Sequence, residues 1–238
     1  MRRKIILLST GLFLVRLASA APLESTDRLH RQGSRVADYK KIERPLRRSP
    51  EKQSAAELWR LARTHFSLGE RAATKRAKKK YFTRCRDNAA RALARDKRSA
   101  EAYYFKALCM GQLGRLKGVF GSLSLISSFR KNMERAARLD PSVEQGGAHR
   151  ALGKYYAALP ALLGRDLKKS IRHLQRAIRY GPTFADNYFF LAESYRAAGN
   201  AKAARATLRA YLRAVQKSPD APKLREARRR ARQLLKKF

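Results

Sequence analysis

The sequence of 238 residues is poor in the side chains from which most catalytic and metal sites are built. It has only four histidines and two cysteines, and none of them stands at a spacing typical of metal ligands. It has no Gly-x-Ser-x-Gly elbow and no glycine loop before Lys-Ser or Lys-Thr. Gly114, Gly118 and Gly121 lack the strand and the acidic residue of a dinucleotide site. The sequence therefore predicts a protein that is not an enzyme and that uses no metal or cofactor.

Acidic residues are also scarce. The chain has 18 Asp and Glu against 56 Lys and Arg, which gives a formal net charge of +38. A charge of this size favours anionic partners, such as nucleic acid, anionic lipid, envelope polymers or acidic proteins, but it does not determine the fold. Two interpretations stay open, a functional anion-binding surface and a basic composition carried on solvated helix faces.

Long apolar runs are absent, with one short exception near the N-terminus. Basic residues at 2–4 precede an apolar run at 5–15 and the small residues Ala18, Ser19 and Ala20. This order is typical of a secretory signal peptide, and the run is shorter than the roughly 20 residues that span a bilayer. We expect a signal peptide over 1–20 and a periplasmic protein. The alternative is an uncleaved membrane anchor.

The following segment, 21–53, is polar and basic and is punctuated by three prolines. It shows no sustained apolar periodicity, so we predict a flexible arm. Ser54 is followed three residues later by Glu57, the spacing of a capping box. The first helix of the folded domain is therefore expected to start at Ser54.

Small and large residues recur at helical spacing through the rest of the chain, most clearly over 146–195. Leu152 and Gly153 precede Tyr156, and Ala177 lies near the end of the next helix. This pattern is typical of the antiparallel helix pairs of a tetratricopeptide repeat, in which small residues let two helices approach closely. We predict an all-α, tetratricopeptide-like right-handed solenoid of about four helix pairs over 54–221.

Additional residues lie between the paired helices, at 69–80, 114–128 and 158–166. We expect them to form helix extensions or protruding tips.

The last segment, 222–238, has apolar residues on one face and Arg or Lys elsewhere. We predict a basic helix that caps the last apolar face of the array. A helix that lies on a membrane or on nucleic acid is the alternative.

Several stretches resemble one known family. ELWRLAR at 57–63, the glycine-rich insert from Gly114, LGKYYAALPALLGRD at 152–166 and FADNYFFLAESY at 184–195 resemble the tetratricopeptide T-component family of TRAP transporters and the related regulators of microtubule dynamics. The resemblance implies a periplasmic, non-enzymatic protein that binds the substrate-binding subunit of a TRAP transporter and forms a homo-oligomeric ring. The chain differs from the family in its high charge and in lacking the lipid-bearing cysteine of many bacterial members.

The functional face of such an array is formed by fixed positions on the first helix of each pair. Aromatic and charged residues at these positions would suit an extended peptide or an acidic protein surface. Alternatively, the register is shifted by one residue and the aromatic side chains pack between helices. The predicted partner-binding residues are Trp59, Arg63, Phe66, Phe105, Arg150, Lys154, Phe189, Glu193 and Arg196.

The two cysteines, Cys85 and Cys109, lie at equal sequence distances from a predicted turn near residue 97. An antiparallel hairpin would bring them level, which permits a disulfide in an oxidising periplasm. Two buried or groove-facing thiols are the alternative, because Cys109 falls in the row assigned to the groove.

Two functions follow from these observations. The first is a scaffold that binds a protein partner through an aromatic and basic groove. The alternative is a binder of anionic envelope polymer or nucleic acid, whose affinity would fall steeply with added salt.

Overall fold

The computed structural model describes residues 23–31, 35–46, 52–118, 123–219 and 221–238, and every regular element in these ranges is helical. No helix within them is both long enough and apolar enough to cross a membrane. The predicted signal peptide lies outside the described residues. The helices are α1 (23–31), α2 (Val36–Leu46), α3 (Ala55–Arg71), α4 (Lys75–Arg95), α5 (Ala100–Lys117), α6 (Leu123–Leu139), α7 (Val143–Ala158), α8 (Leu167–Tyr180), α9 (Ala185–Ala197), α10 (Ala201–Ala214) and α11 (Pro222–Lys237), with a 3₁₀ turn at Ala161–Leu163.

The chain divides into two compact units between Asp96 and Lys97. The first unit contains α1 to α4 and the second contains α5 to α11. Consecutive helices pack in pairs, α3 with α4, α5 with α6, α7 with α8 and α9 with α10. Because short turns join the members of each pair, they run antiparallel. These are the four helix pairs that the sequence predicts.

The helix starts are determined by local capping. The Ser54 hydroxyl accepts a hydrogen bond from the backbone N–H of Glu57 at 3.2 Å, and the backbone N–H of Ser54 donates to the Glu57 carboxylate at 2.8 Å. The predicted capping box is therefore confirmed. Side chains of Thr74, Ser99 and Asp166 cap α4, α5 and α8 in the same position.

The prediction of a flexible arm over 21–53 is wrong for its helical parts. Tyr39, Ile42 and Leu46 of α2 are buried and pack in one cluster with Leu61 of α3. These three apolar residues are the buried face of an eleven-residue helix that is otherwise mostly charged. So short a stripe gives a weak periodic signal, and the helix is stabilised by burial against α3 rather than by its own propensity.

Charge attaches α1 to α3. The Asp27 carboxylate accepts hydrogen bonds from Arg60 Nε at 3.0 Å, Arg60 Nη2 at 2.6 Å and Arg63 Nη2 at 2.5 Å. Burial alone would raise the pKa of Asp27, but the hydrogen bonds and charges of the two guanidinium groups hold it below its ordinary value. The carboxylate is therefore charged at neutral pH and ties the first helix to the third.

Glycines let helices approach closely within the second unit. A Cβ added to Gly153 of α7 would lie 2.5 Å from Leu174 Cγ of α8, which is too close for any side chain. Gly146 has φ +76°, and a Cβ there would lie 2.5 Å from the carbonyl oxygen of Ala177. The small residues of 146–195 therefore serve close helix contact, as their spacing predicts.

The last helix, α11, covers the apolar face of α9 and α10. Ala231 is fully buried in one cluster with Phe189, Tyr211 and Val215, and Phe238 packs against the same cluster. Most of the basic side chains of α11 remain exposed. This is the packing expected of a capping helix.

Candidate partner-binding cavity

A cavity of about 670 Å³ lies among α5, α6 and α7 of the second unit. Three polar side chains, Gln112, Arg115 and Lys154, stand among lining residues that are otherwise apolar or glycine, apart from the Tyr155 hydroxyl. A pocket of this kind can receive an apolar group and orient it by a few polar contacts. The larger apolar and aromatic residues of the wall are Leu108, Ile126, Phe129 and Tyr155.

Two stacked rings form one wall of the cavity. Phe129 of α6 stacks on Tyr155 of α7 with ring centroids 5.9 Å apart. Gly111 of α5 makes room for Phe129, because a Cβ there would lie 3.3 Å from the ring. Burial raises the pKa of the Tyr155 hydroxyl, so this hydroxyl stays protonated at neutral pH. The wall thus joins three helices.

The polar side of the cavity is positive. Lys154 is exposed and holds its ammonium group 4.2 Å from the centre of the Phe190 ring. Arg115, also exposed, is the second cation. No Asp or Glu occurs among the described residues that line the cavity. An anionic group beside the apolar chamber would therefore be favoured.

Lys154 is the predicted partner-binding residue that lies at this cavity. Phe105 and Phe189 are only 3% and 2% exposed, so their prediction as groove residues is wrong. Phe189 lies edge-on to Tyr211 at 5.6 Å, and the Arg230 guanidinium lies 4.5 Å from its ring. These two phenylalanines pack between helices, as the alternative register requires.

Arg150 makes its contacts with other residues of the second unit. Its Nη1 donates to Asn187 Oδ1 at 2.9 Å and to the carbonyl oxygen of Gln145 at 3.3 Å. Its guanidinium also lies 4.2 Å from the Phe184 ring. Arg150 therefore fixes the start of α7 against α9, and its partner-binding role is not supported by these contacts.

Glu193 and Arg196 lie on the side of α9 that meets α11. The Glu193 carboxylate is 4.0 Å from Arg230, and the Arg196 guanidinium is 5.3 Å from the Phe238 ring. The C-terminal helix thus occupies part of the surface that the sequence assigns to a partner.

The other three predicted residues belong to the first unit. Half-buried Trp59 lies against the guanidinium groups of Arg60 and Arg63, at 4.1 and 5.1 Å. Arg63 is only 7% exposed and binds Asp27, so its prediction as a groove residue is wrong. Phe66 is half-buried with its ring 5.9 Å from Phe82.

A histidine pair lies between α7 and α8. Nδ1 of His149 is 3.1 Å from Nδ1 of His173, so one nitrogen donates and the other accepts. His173 stacks on Tyr156 at 5.6 Å, and His149 stacks on Tyr180 at 6.0 Å. Burial, together with nearby positive charge, lowers the pKa of each histidine to about 4. Both rings are therefore neutral at neutral pH.

The histidine pair supplies two nitrogen atoms and no third ligand. Within the ranges that the structure describes, no three His, Cys, Asp or Glu side chains stand together as a metal site would require. Cys85 and Cys109 are both fully buried. A disulfide between these two residues stays a prediction.

The chain is similar to a family of known proteins. The family model for regulator of microtubule dynamics protein 1-3 matches residues 23–160, and a tetratricopeptide repeat model matches residues 161–230. Regulator of microtubule dynamics protein 1 of Bos taurus is 25% identical over 199 residues, covering 76% of this chain and 61% of that protein. Protein 3 of Rattus norvegicus is 30% identical over 98 residues, covering 41% of this chain and 20% of that protein. The chain thus spans about three-fifths of the first relative and one-fifth of the second.

A solved structure has the same fold. TTC0263, a thermophilic tetratricopeptide repeat protein of Thermus thermophilus, superposes with a TM-score of 0.65 over 90% of this chain and 98% of that one, at 21% identity. This similarity shows the fold alone, and it confirms the predicted all-α, tetratricopeptide-like class. The first family model covers more than half of the 238 residues and includes α1 and α2. The chain therefore belongs to the family of regulator of microtubule dynamics proteins 1 to 3.

Proposed function

We propose that this chain is a non-enzymatic scaffold that binds a protein partner, and that the cavity among α5, α6 and α7 receives an apolar side chain of that partner beside an acidic one. The cavity carries this proposal, because Phe129 and Tyr155 form its wall while Lys154 and Arg115 stand beside it. The tetratricopeptide repeat match supports a binding role for the fold.

The geometry of the cavity suits a small anchoring group. Its wall is held by the stacked rings of Phe129 and Tyr155, so little side-chain entropy is lost when a partner enters. A buried apolar anchor supplies affinity, and a nearby charge pair supplies orientation and a faster encounter. We therefore propose a partner segment with an aromatic or aliphatic residue close to Asp or Glu.

The partner and the compartment are proposals of the same kind. Resemblance to the T-component family supports the substrate-binding subunit of a TRAP transporter as one candidate, and it supports a homo-oligomer. The signal-like pattern over 1–20 supports export to the periplasm. A gene for such a subunit beside the gene for this chain would strengthen the TRAP version of the proposal.

Selection of random displayed peptides on the purified chain tests the cavity even though the partner is unidentified. We expect the enriched peptides to pair an apolar residue with Asp or Glu. Ala158→Trp, which fills the cavity, should abolish binding of these peptides, and Lys154→Glu should weaken it about tenfold, the equivalent of one charge-assisted contact.

Lys131→Glu is the matched control, because Lys131 is exposed on α6 and does not line the cavity. It should leave the affinity unchanged. Peptides that bind Ala158→Trp as tightly as the unaltered chain would contradict the cavity proposal.

A second candidate function is the binding of an anionic polymer. The sequences of α8 and α10 contain no acidic residue, so the charged side chains on their solvent faces are positive. Binding to heparin, as a polyanion probe, should then fall steeply with salt through counterion release, whereas binding in the cavity should depend on salt weakly. The exposed basic residues of these helices are Lys168, Lys169, Arg172, Arg176, Arg179, Lys202, Arg209 and Arg213.

A further inference from the structure

The turn between α7 and α8 exposes apolar side chains to solvent. Leu162 is 99% exposed and Leu163 is 54% exposed. The backbone of the turn is nevertheless held in place, because the N–H of Leu163 donates to Pro160 O at 2.9 Å and the N–H of Asp166 donates to Tyr156 O at 3.0 Å. The adjacent leucines add little to the stability of the chain while they face water, and together they form a small apolar patch that is available for a contact outside the chain.

Positive charge surrounds the two leucines. Arg165 and Lys168 are exposed beside them. The one acid of the turn, Asp166, is already engaged, since it caps α8 at the N–H of Lys169 and lies 3.3 Å from the Lys169 ammonium group. The turn therefore presents an apolar point within a cationic surface.

The positive surface continues along the same edge of the second unit. The turn inside each antiparallel helix pair falls on one edge, so the end of α5, the turn after α7 and the start of α10 share it. Gly118 and Ala158 line one cavity, which places the ends of α5 and α7 side by side. Arg115, Lys117 and Lys202 are exposed there.

We propose that this edge docks on an anionic lipid bilayer, with Leu162 and Leu163 inserted at the boundary between headgroups and acyl chains. Leucine gains free energy on leaving water, and the surrounding Arg and Lys can place their aliphatic stems at the interface while their charges meet lipid phosphates. A nucleic acid would satisfy the cations but would leave both leucines in water. The two leucines do not line the cavity that is proposed to hold a protein partner, whereas Arg115 stands both at that cavity and at this edge.

Leu162→Trp reports insertion directly. Vesicles of phosphatidylcholine alone and vesicles of phosphatidylcholine mixed equally with phosphatidylglycerol are added to the full chain. We expect the emission of the new tryptophan to shift to the blue and to become shielded from an aqueous quencher with the anionic vesicles only. The unaltered chain, which contains Trp59, gives the background. An unchanged environment for the tryptophan at 162 would overturn the proposal.

Cosedimentation with the anionic vesicles separates the contributions of leucine and charge. The double variant Leu162→Ser with Leu163→Ser should bind about tenfold more weakly or worse, because two apolar side chains no longer leave water. Arg165→Glu with Lys168→Glu should lose affinity similarly. Arg138→Glu with Lys217→Glu makes the same charge change at the opposite edge and should bind as the unaltered chain does.

Several results would overturn this inference. If the serine variant bound vesicles as tightly as the unaltered chain, charge alone would account for the binding. If the opposite-edge variant lost as much affinity as the Arg165 and Lys168 variant, the attraction would be general and no docking face would exist. A concentration-dependent oligomer that disappears in the serine variant, with vesicle binding intact, would assign the leucines to a second copy of the chain. The apolar run at 5–15 is common to all variants, so differences between them report the turn.

Discussion

At the residue scale, the pair His149 and His173 shows how the fold gives ordinary side chains an unusual chemistry. The two rings lie on successive helices, 24 positions apart in the sequence, and meet at 3.1 Å. Each is held between its partner and a tyrosine ring. This enclosure, more than any one contact, keeps both rings neutral, since a charged imidazole would lose its hydration.

The histidine pair predicts a stability that depends on pH. The folded pKa of each ring is about 4, lowered from an ordinary value of 6.5. Between these values the unfolded chain takes up protons that the folded chain does not, so the free energy of unfolding should fall as the pH decreases from about 6.5 to about 4. Urea denaturation across this range measures it.

Phenylalanine at both positions keeps the stacking on Tyr156 and Tyr180 and removes the titration. The variant His149→Phe with His173→Phe should therefore show a shallower decrease in this pH range. An equally steep decrease in the double variant would mean that other groups cause it.

Asp27 carries a second prediction at this scale. Its pKa is held below the ordinary value by Arg60 and Arg63, so its contribution to stability is present at neutral pH and is lost only as the pH falls through the folded pKa. Asp27→Asn should lower the free energy of unfolding by about 1.5 to 3 kcal/mol at pH 7, the range for a hydrogen bond to a charged group.

Amide hydrogen exchange over 23–31 locates this effect, because faster exchange in the Asp27→Asn variant would show that α1 has detached. Glu24→Gln is the control, since Glu24 is exposed on the same helix. Equal exchange in both variants would contradict the role of Asp27.

At the element scale, α11 covers part of the surface of α9 that the sequence predicts to bind a partner. Its apolar stripe, centred on Ala231, closes the cluster of α9 and α10. Arg230 on the same helix reaches both Phe189 and Glu193. Residues that look available on an isolated α9 are thus covered or paired by residues that lie about 40 positions later in the chain.

Ala231→Asp tests the capping role. The new carboxylate would enter a fully buried position without a partner, so we expect the free energy of unfolding to decrease by roughly 2 to 4 kcal/mol. Gln233→Asp adds the same charge at an exposed position two residues away and should change stability little. Urea denaturation measures the free energy of unfolding of both variants. Equal stabilities would mean that α11 is not packed on α9 and α10.

At the scale of the whole molecule, the charge of +38 has few internal partners. Several acids are used in caps or in buried pairs, as with Glu57, Asp166 and Asp27. Most of the basic side chains therefore face solvent and generate a positive field at long range. Both the polyanion candidate and the bilayer inference rest on this surplus, and the opposite-edge control separates a docking face from general attraction.

The cysteines give a prediction that concerns the chain as a whole. Thiol titration of unfolded, unreduced protein should find no free thiol, because a bridge between Cys85 and Cys109 is expected in an oxidising compartment. Reduction should lower the free energy of unfolding by about 3 kcal/mol, the loop-closure entropy of a loop of this length. Two free thiols would disprove the bridge.

The sequence alone predicted the features that depend on neighbours along the chain. Ser54 and Glu57 form their capping box because three residues separate them. Gly153 stands at the small-residue position of the repeat pattern, and Leu174 of the neighbouring helix leaves no room for a side chain there. The apolar stripe of 222–238 indicated a capping helix for the same reason. These patterns were sufficient for the fold class and the helix pairs.

Only the tertiary structure decided which side chains reach a partner. The sequence predicts both Phe189 and Lys154 as partner-binding residues, yet one is buried and the other stands exposed at a cavity. Arg63 is hydrogen-bonded to Asp27, which lies 36 positions earlier, and α2 packs against Leu61 of α3. Exposure depends on contacts between distant segments, and a periodic pattern can specify a buried face without specifying what covers it.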